Sequence, residues 1–554
     1  MGSHRSRPLH CHALPALAGA AVLAAAPAAR AQFLEPDVVV LQTFLGEAAG
    51  DSFGWAVSEL GDVDGDGAKD AIIGAPSNAA IGMNSGKTYV YSGGTGALIY
   101  EMAGLLGERH GFAIADAGDA DGDGVTDILA GAPGGGPIGA GLVYLHSGAT
   151  GQVLHAFAGE AAGDNFGFAV SSAGDVDGDG RSDILIGAAG NDATGDASGR
   201  AYLYSGDDYT LIRAFDAEAA GGRLGSGVAS VGDITGDGVP DQIVAARDAG
   251  PTAAGKAYVY SGADGSLAFP ALEPDATGGD FGWFFVAGVG DVDNDGTPDM
   301  YVGDFSDATL GAGTGRAYVL SGADATLLHG FTGDAENAGM GPGRGAGDVD
   351  GDGHADLVVG SYTSSIGAAF AGKVDVFSGS DGSVMRSITS TSEGETLGFD
   401  AVGLGDVNQD GAIDFLISSA SVDKVYIIAG IPGGGGGAGG GGGAGGSGGA
   451  GGSGGAGGSG GGGGSGGAGG SGGAGGGGGG VPGTGGAGGN GGDPGNGGAP
   501  GTGGAPTTGS GSPPADDSGC GCRTSQRGGS PLLLAGIVAL AALGRRRRRA
   551  AGLA

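Results

Sequence analysis

Asp175-Val176-Asp177-Gly178-Asp179-Gly180, closed by Asp183 and followed by Ile184-Leu185-Ile186-Gly187, is an acidic loop that runs straight into a short branched apolar stretch. Ahead of it stands Phe166-Gly167-Phe168-Ala169-Val170; behind it come Gly199-Arg200-Ala201-Tyr202-Leu203-Tyr204-Ser205-Gly206 and Thr210-Leu211-Ile212-Arg213-Ala214-Phe215. Each run is short, rich in β-branched or aromatic residues and bounded by Gly, Asp or Ser, which is the pattern of a strand. No run keeps a helical period. Equivalent acidic strings open at Asp62, Asp119, Asp233, Asp291, Asp348 and Asp406, so that successive starts lie 57, 56, 58, 58, 57 and 58 residues apart. A fixed period of this length means one supersecondary unit repeated. Seven units of four antiparallel strands predict an all-β chain folded as a seven-bladed β-propeller, in which radial closure removes the exposed sheet edges.

The two ends of the repeat region predict how the ring closes. The seventh unit stops at Lys424-Val425-Tyr426-Ile427-Ile428, its third strand, and lacks a fourth. The run from Val38 to Phe44 precedes the first unit and matches Gln152-Val153-Leu154-His155-Ala156-Phe157, which fills the fourth-strand slot of the second unit. The N-terminal strand is therefore expected to complete the last blade.

Phe53-Gly54, Gly74-Ala75-Pro76 and Gly131-Ala132-Pro133, set around the acidic loops, resemble the FG-GAP repeat of the integrin α-subunit N-terminal propeller. All seven units share the pattern in part, over about 400 residues. Leu224-Gly225 and Leu397-Gly398 replace Phe-Gly in the fourth and seventh units, and the sixth has Met340-Gly341-Pro342.

In each acidic loop, positions 1, 3, 5 and 9 can turn oxygen ligands towards one point, and the glycine at position 6 permits the sharp turn. The residues are Asp62, Asp64, Asp66 and Asp70; Asp119, Asp121, Asp123 and Asp127; Asp175, Asp177, Asp179 and Asp183; Asp233, Thr235, Asp237 and Asp241. The remaining three sets are Asp291, Asp293, Asp295 and Asp299; Asp348, Asp350, Asp352 and Asp356; Asp406, Asn408, Asp410 and Asp414. Hard oxygen donors in a flexible cage select Ca²⁺, up to seven ions, one per repeat. An EF-hand needs a Glu at loop position 12, where the first loop has Ile73; the expected site is a β-hairpin site, as the resemblance also implies. The other reading, Asp-Gly turns that favour hairpins without metal, leaves converging like charges with no counter-ion. Calcium is expected to pin each blade's first hairpin and so to contribute to folding.

Over its 554 residues the chain carries 61 Asp and Glu against 24 Lys and Arg, a net charge of -37. That excess of carboxylates excludes a nucleic-acid binder, which needs cationic surface. Residues 1–31, with Arg5 and Arg7 before an Ala/Leu-rich run and Ala29-Arg30-Ala31 ahead of Gln32, are read as a signal peptide. The propeller is assigned to 32–430. Residues 431–518, almost all Gly, Ala, Ser, Thr and Pro, are expected to form a disordered tether spanning roughly 50 Å. Residues 519–554 hold Gly519-Cys520-Gly521-Cys522-Arg523, a short apolar run from Leu532 to Leu543 read as a hydrophobic helix, and Arg545 to Arg549. This tail resembles a myxobacterial C-terminal sorting tag; the resemblance implies a sorting protease and a cell-surface location, with a plain membrane anchor as the other reading.

Antiparallel geometry puts the loops between strands two and three, and between blades, on the face opposite the acidic loops. The long ones run over 76–85, 191–198, 304–314 and 361–371, and a protein or glycan ligand is placed there. Trp55 and Trp283, both after Phe-Gly, are read as packing between blades, with a sugar-stacking platform as the alternative. His110, His146, His155, His329 and His354 are scattered without metal spacing. No nucleophile elbow, zinc motif or phosphate loop is present. The expected function is that of a non-enzymatic, surface-tethered binding or adhesion module. The alternatives are the non-catalytic propeller of a carbohydrate- or lipid-acting system, and a passive envelope protein.

Overall fold

The computed structural model describes residues 32–274 and 278–431; the expected signal peptide, tether and C-terminal tag lie outside the described residues, apart from Ile431. Within them the chain forms seven antiparallel sheets, each starting at an innermost strand. Blade 1 comprises Val57–Leu60, Asp70–Ala75, Lys87–Tyr91 and Leu98–Ala103, and blade 3 comprises Phe166–Gly174, Asp183–Ala188, Arg200–Tyr204 and Leu211–Asp216. The innermost strands of consecutive blades adjoin all the way round, that of blade 7 returning to that of blade 1.

Second strands are buried along their whole length, as in Asp183–Ala188, because both sheet faces pack on neighbouring blades. The innermost strands' glycines and alanines allow close approach at the centre. Outer strands alternate; Leu211–Asp216 is exposed at Leu211 and buried at Phe215. The Phe of each Phe-Gly is an interior anchor: Phe53, Phe166 and Phe281 meet Tyr89, Tyr202 and Tyr318 edge-on at 5.3, 5.4 and 5.3 Å. At Phe166, and at the matching His110, Leu224, Met340 and Leu397, the backbone bridges to a glycine just before the third strand of the preceding blade. Gly199 has φ 84°, and a Cβ there would stand 2.1 Å from the Leu224 nitrogen. The sequence spacing of the repeat is thereby tied to blade-on-blade contact.

Blade 7 is closed as the termini predict. Val40–Leu45 pairs antiparallel with Lys424–Ile428, with Phe44 opposite Val425. The closure is reinforced at the centre, where the Arg344 guanidinium of blade 6 meets Asp400, both about 1% exposed, and Asp400 Oδ2 accepts from the Val57 N–H of blade 1 at 2.9 Å.

Blade 4 departs from the repeat. Leu224–Gly232, Asp241–Ala246 and Lys256–Tyr260 form three strands, and the fourth position holds only the bridges Ala257–Leu272 and Tyr260–Leu267. Pro270 and Pro274 interrupt this segment, and proline offers no N–H to a ladder.

Candidate metal centres and the opposite face

Each acidic loop joins the first and second strands of its blade, so all seven open on one face of the ring. In the third loop the backbone wraps the carboxylates: Gly178 and Gly180 donate to Asp175 at 2.8 and 3.1 Å, Asp179 N–H donates to Asp177 at 3.1 Å, and Arg181 N–H donates to Asp179 at 2.7 Å. Gly180, at position 6, has φ 92°, a conformation that a side chain resists.

Position 9 does a different job from the other three. Asp183 is fully buried; its Oδ2 accepts from Val176 N–H at 2.8 Å and its Oδ1 from Gly206 N–H at 2.9 Å. Asp70, Asp127, Asp241, Asp299, Asp356 and Asp414 repeat this pair of bonds to position 2 and to the glycine after strand three. The carboxylate thus staples the acidic loop to the next turn of the same face. Burial pushes Asp70, Asp127, Asp183, Asp299, Asp356 and Asp414 up to about 6, against the lowering effect of those N–H donors, and raises Asp241 as well.

In five loops three carboxylate oxygens come within 4.8 Å of one another: Asp62, Asp64 and Asp66; Asp119, Asp121 and Asp127; Asp175, Asp177 and Asp183; Asp291, Asp293 and Asp295; Asp348, Asp350 and Asp356. Asp123, Asp179, Asp352, Asp70 and Asp299 complete these loops outside the triplets. The loop of Asp233, Asp237 and Asp241 has Thr235 at position 3, and that of Asp406, Asp410 and Asp414 has Asn408. Neither forms such a triplet among the described residues. The donors are all oxygen, and position 9 is a buried carboxylate with a raised pKa, whose ionised form a divalent cation would favour, so the residues fit Ca²⁺. Neighbouring loops also touch: Arg181 Nη1 donates to the Asp119 carbonyl at 3.1 Å, and His354 Nδ1 to that of Val292 at 2.7 Å. His354 is therefore engaged between blades.

A site the sequence reading missed lies in blade 2. His110 and His146, both buried, approach Nε2 to Nε2 at 3.2 Å. Thr88 lies 3.1 Å from His110 Nδ1, and His146 Nδ1 donates to the Gly151 carbonyl at 3.2 Å. One neutral tautomer set satisfies every ring nitrogen. His110 stands in the Phe slot before Gly111, and His146 in the slot of Tyr91, so aligning the repeats against the Phe53–Tyr91 contact was the signal available. Burial lowers His110 to about 3 and His146 to about 4. Their folded values lie below the unfolded one, so stability is lost as pH falls through about 6.5. At pH 5 the loss is expected to be about 2 kcal/mol per histidine. Urea unfolding at pH 7.5 and 5 should show a shallower acid loss in H110F/H146Y, which rebuilds the pair of blade 1; an unchanged loss would refute the assignment.

On the opposite face, Trp55 packs against Phe112 and Phe399 at 5.4 and 5.1 Å. Trp283 stacks on Phe284 at 5.2 Å, under the Arg247 guanidinium at 3.9 Å. Phe284 also meets Phe168 at 5.0 Å. Both tryptophans, partly exposed, pack against aromatic or cationic side chains.

The FG-GAP repeat family matches residues 166–204 and 345–377. The chain is 34% identical to integrin alpha-4 of Xenopus laevis over 167 residues, 28% of this chain and 16% of that one. It is 35% identical to integrin alpha-5 of Xenopus laevis over 188 residues (30% and 18%), and 32% identical to integrin alpha-V of Gallus gallus over 216 residues (35% and 20%). The matched region thus spans a fifth or less of the length of these relatives. Repeats, sheet order and similarity agree: the chain is a seven-bladed β-propeller carrying FG-GAP repeats of the integrin α type.

Proposed function

We propose that the propeller is an exported, calcium-stabilised adhesion module, tethered at the cell surface, that binds a protein or glycan ligand on the face opposite its acidic loops without performing catalysis. Calcium held by the 28 loop positions supplies charge compensation and pins strand one to strand two; the ligand face stays separate from it. The observation that carries the ligand assignment is a cluster at the junction of blades 1 and 2. Ile81, Met83, Leu105 and Leu106 are 59, 75, 61 and 70% exposed, and the two loops that bear them are joined by the Gly107 N–H to Met83 carbonyl bond of 3.1 Å. Large apolar side chains gathered on exposed loops mark an interaction surface.

Export and tethering rest on residues 1–31 and 432–554, outside the described residues. Among the described residues no helix is long and apolar enough to cross a membrane. The test is a protein and glycan array probed with the full chain in calcium. M83S/L106S is expected to lose at least tenfold in binding to whichever ligand the parent takes, whereas V153S, in an outer strand, keeps it. Retained binding by M83S/L106S would move the site elsewhere, and the absence of any ligand would favour the passive envelope role.

A further inference from the structure

Two of the seven blades, 1 and 3, carry a buried Asp–Asn pair at one junction, and in blade 4 both of its polar groups are gone. In blade 1, Asn78 Nδ2 donates to Asp51 Oδ2 at 2.8 Å and approaches the Tyr89 hydroxyl at 3.4 Å, while Asp51 Oδ2 also accepts from Ala48 N–H at 3.1 Å. Blade 3 repeats the arrangement with Asn191, Asp164 and Tyr202 at 3.1 and 3.3 Å, and Ala161 N–H donates to Asp164 at 2.9 Å. These acids and amides are all buried. They plug the junction between a blade and the loop entering it.

In blade 4 the same backbone positions are Gly222 and Ala249. The equivalence is fixed by hydrogen bonds: Asp248 N–H donates to the Gly222 carbonyl as Ser77 does to Asp51, and Ala249 N–H donates to Ala246 as Asn78 does to Ala75. A Cβ built on Gly222 would stand 3.8 Å from that of Ala249, so the two positions face each other with both polar groups deleted. What remains is a cavity of about 250 Å³ lined by Glu218, Gly222, Asp248, Ala249, Lys256 and Tyr258, with alanine methyls forming much of the remaining wall. The loss of Asn strands no backbone donor. In blades 1 and 3 the Asn carbonyl accepts from the Ala80 and Ala193 N–H at 2.9 Å, whereas the matching residue here is Pro251, which has none.

The missing groups define what would fill the space: a carboxylate beside the loop N–H and an N–H donor beside the tyrosine hydroxyl. We propose that this cavity is a binding site for a small zwitterion, an α-amino acid with a short side chain. Its carboxylate takes the place of the Asp51 and Asp164 carboxylates, against the Ala219 N–H and the Lys256 ammonium. Its ammonium faces the carboxylate of Glu218. That carboxylate also meets the Tyr258 hydroxyl, and it is only loosely engaged by Lys256, at 3.9 Å, because Lys256 sits on Glu273 at 2.9 Å. Asp248 is held by Arg223 at 2.9 Å, so Glu218 carries the attraction for a cationic group. A simple carboxylate gains no such contact in so acidic a domain, and a simple amine leaves the N–H of the loop unserved.

The probe is L-alanine, with acetate and ethylamine as single-charge controls, titrated calorimetrically into the full chain. L-alanine is expected to bind at least tenfold more tightly than either control. G222D/A249N, which restores the plug of blades 1 and 3, is expected to abolish binding while melting no lower than the parent; Gly222 has room for a Cβ. A249N alone serves as the second variant and is expected to weaken binding at least tenfold. No binding of L-alanine by the parent, equal binding by acetate, or undiminished binding by a well-folded A249N would each overturn the proposal.

Discussion

Deleting residues 32–45 is expected to open the ring and leave a chain that associates through blade 7. Val40–Leu45 supplies the outer strand of that blade, and its Phe44, 5% exposed, packs with Phe53, Val425 and Ile427. The preceding residues are stitched to blade 6: Glu35 accepts from Thr389 N–H at 2.7 Å, and Thr391 N–H donates to the Gln32 carbonyl at 3.0 Å. Phe33 meets Tyr426 edge-on at 5.9 Å. Loss of Phe44 alone should cost about 3–5 kcal/mol, as for other buried Phe truncations. Loss of the ladder and of Phe33 adds to this, on a total stability of roughly 5–15 kcal/mol. The uncovered edge of Lys424–Ile428 then pairs with another copy. Light scattering and thermal melting of the deletion, beside F44A, check both effects. A monomer that melts like the parent would show that something other than the clasp closes the ring.

The clasp was legible because a four-strand unit cut at its third strand leaves an arithmetic remainder, and only Val38 to Phe44 has the pattern to supply it. The acidic loops were equally legible, since their period and composition repeat. What the sequence concealed were the divisions of labour inside a motif. All four loop Asp positions look alike as letters. Position 9 is set apart only in three dimensions, because it starts a fully buried strand and meets the glycine after strand three. The His110–His146 pair was hidden by a search for metal spacing along the chain, when the relevant distance runs across strands of one blade. The blade 4 cavity was hidden for the opposite reason: it arises from residues that are absent relative to sibling repeats. Gly222 and Ala249 carry no chemistry to notice. Pro270 and Pro274 were the sign in the sequence that the fourth strand of blade 4 is irregular, and the repeat count alone does not show it.

Charge compensation at the acidic face should dominate the stability of the whole ring, so chelation is the second large effect. Each loop binding calcium only in the folded state adds about 2.7 kcal/mol when free calcium is a hundredfold above its Kd, and several loops act together. EGTA should therefore lower the melting midpoint steeply, and an unchanged midpoint would end the calcium assignment. The loss should be graded. Asp177 belongs to a triplet of carboxylates whose oxygens lie within 4.8 Å, whereas Asp237 shares its loop with the neutral Thr235. Affinity in oxygen cages follows ligand charge and rigidity, so the loops of Thr235 and Asn408 should empty first. At limiting calcium, Asp177→Ala should thus cost more metal-linked stability than Asp237→Ala. Asp183→Ala separates scaffold from ligand, because the Asp183 carboxylate holds the Val176 and Gly206 N–H groups whether or not metal is present. It should remain destabilising by about 1–3 kcal/mol in EGTA, the cost of stranding buried donors, while Asp177→Ala becomes nearly neutral there. Calcium-titrated melting of the three variants distinguishes these roles: equal losses for Asp177→Ala and Asp237→Ala would show that carboxylate number does not set the affinity, and a silent Asp183→Ala in EGTA would show that position 9 acts through the metal alone.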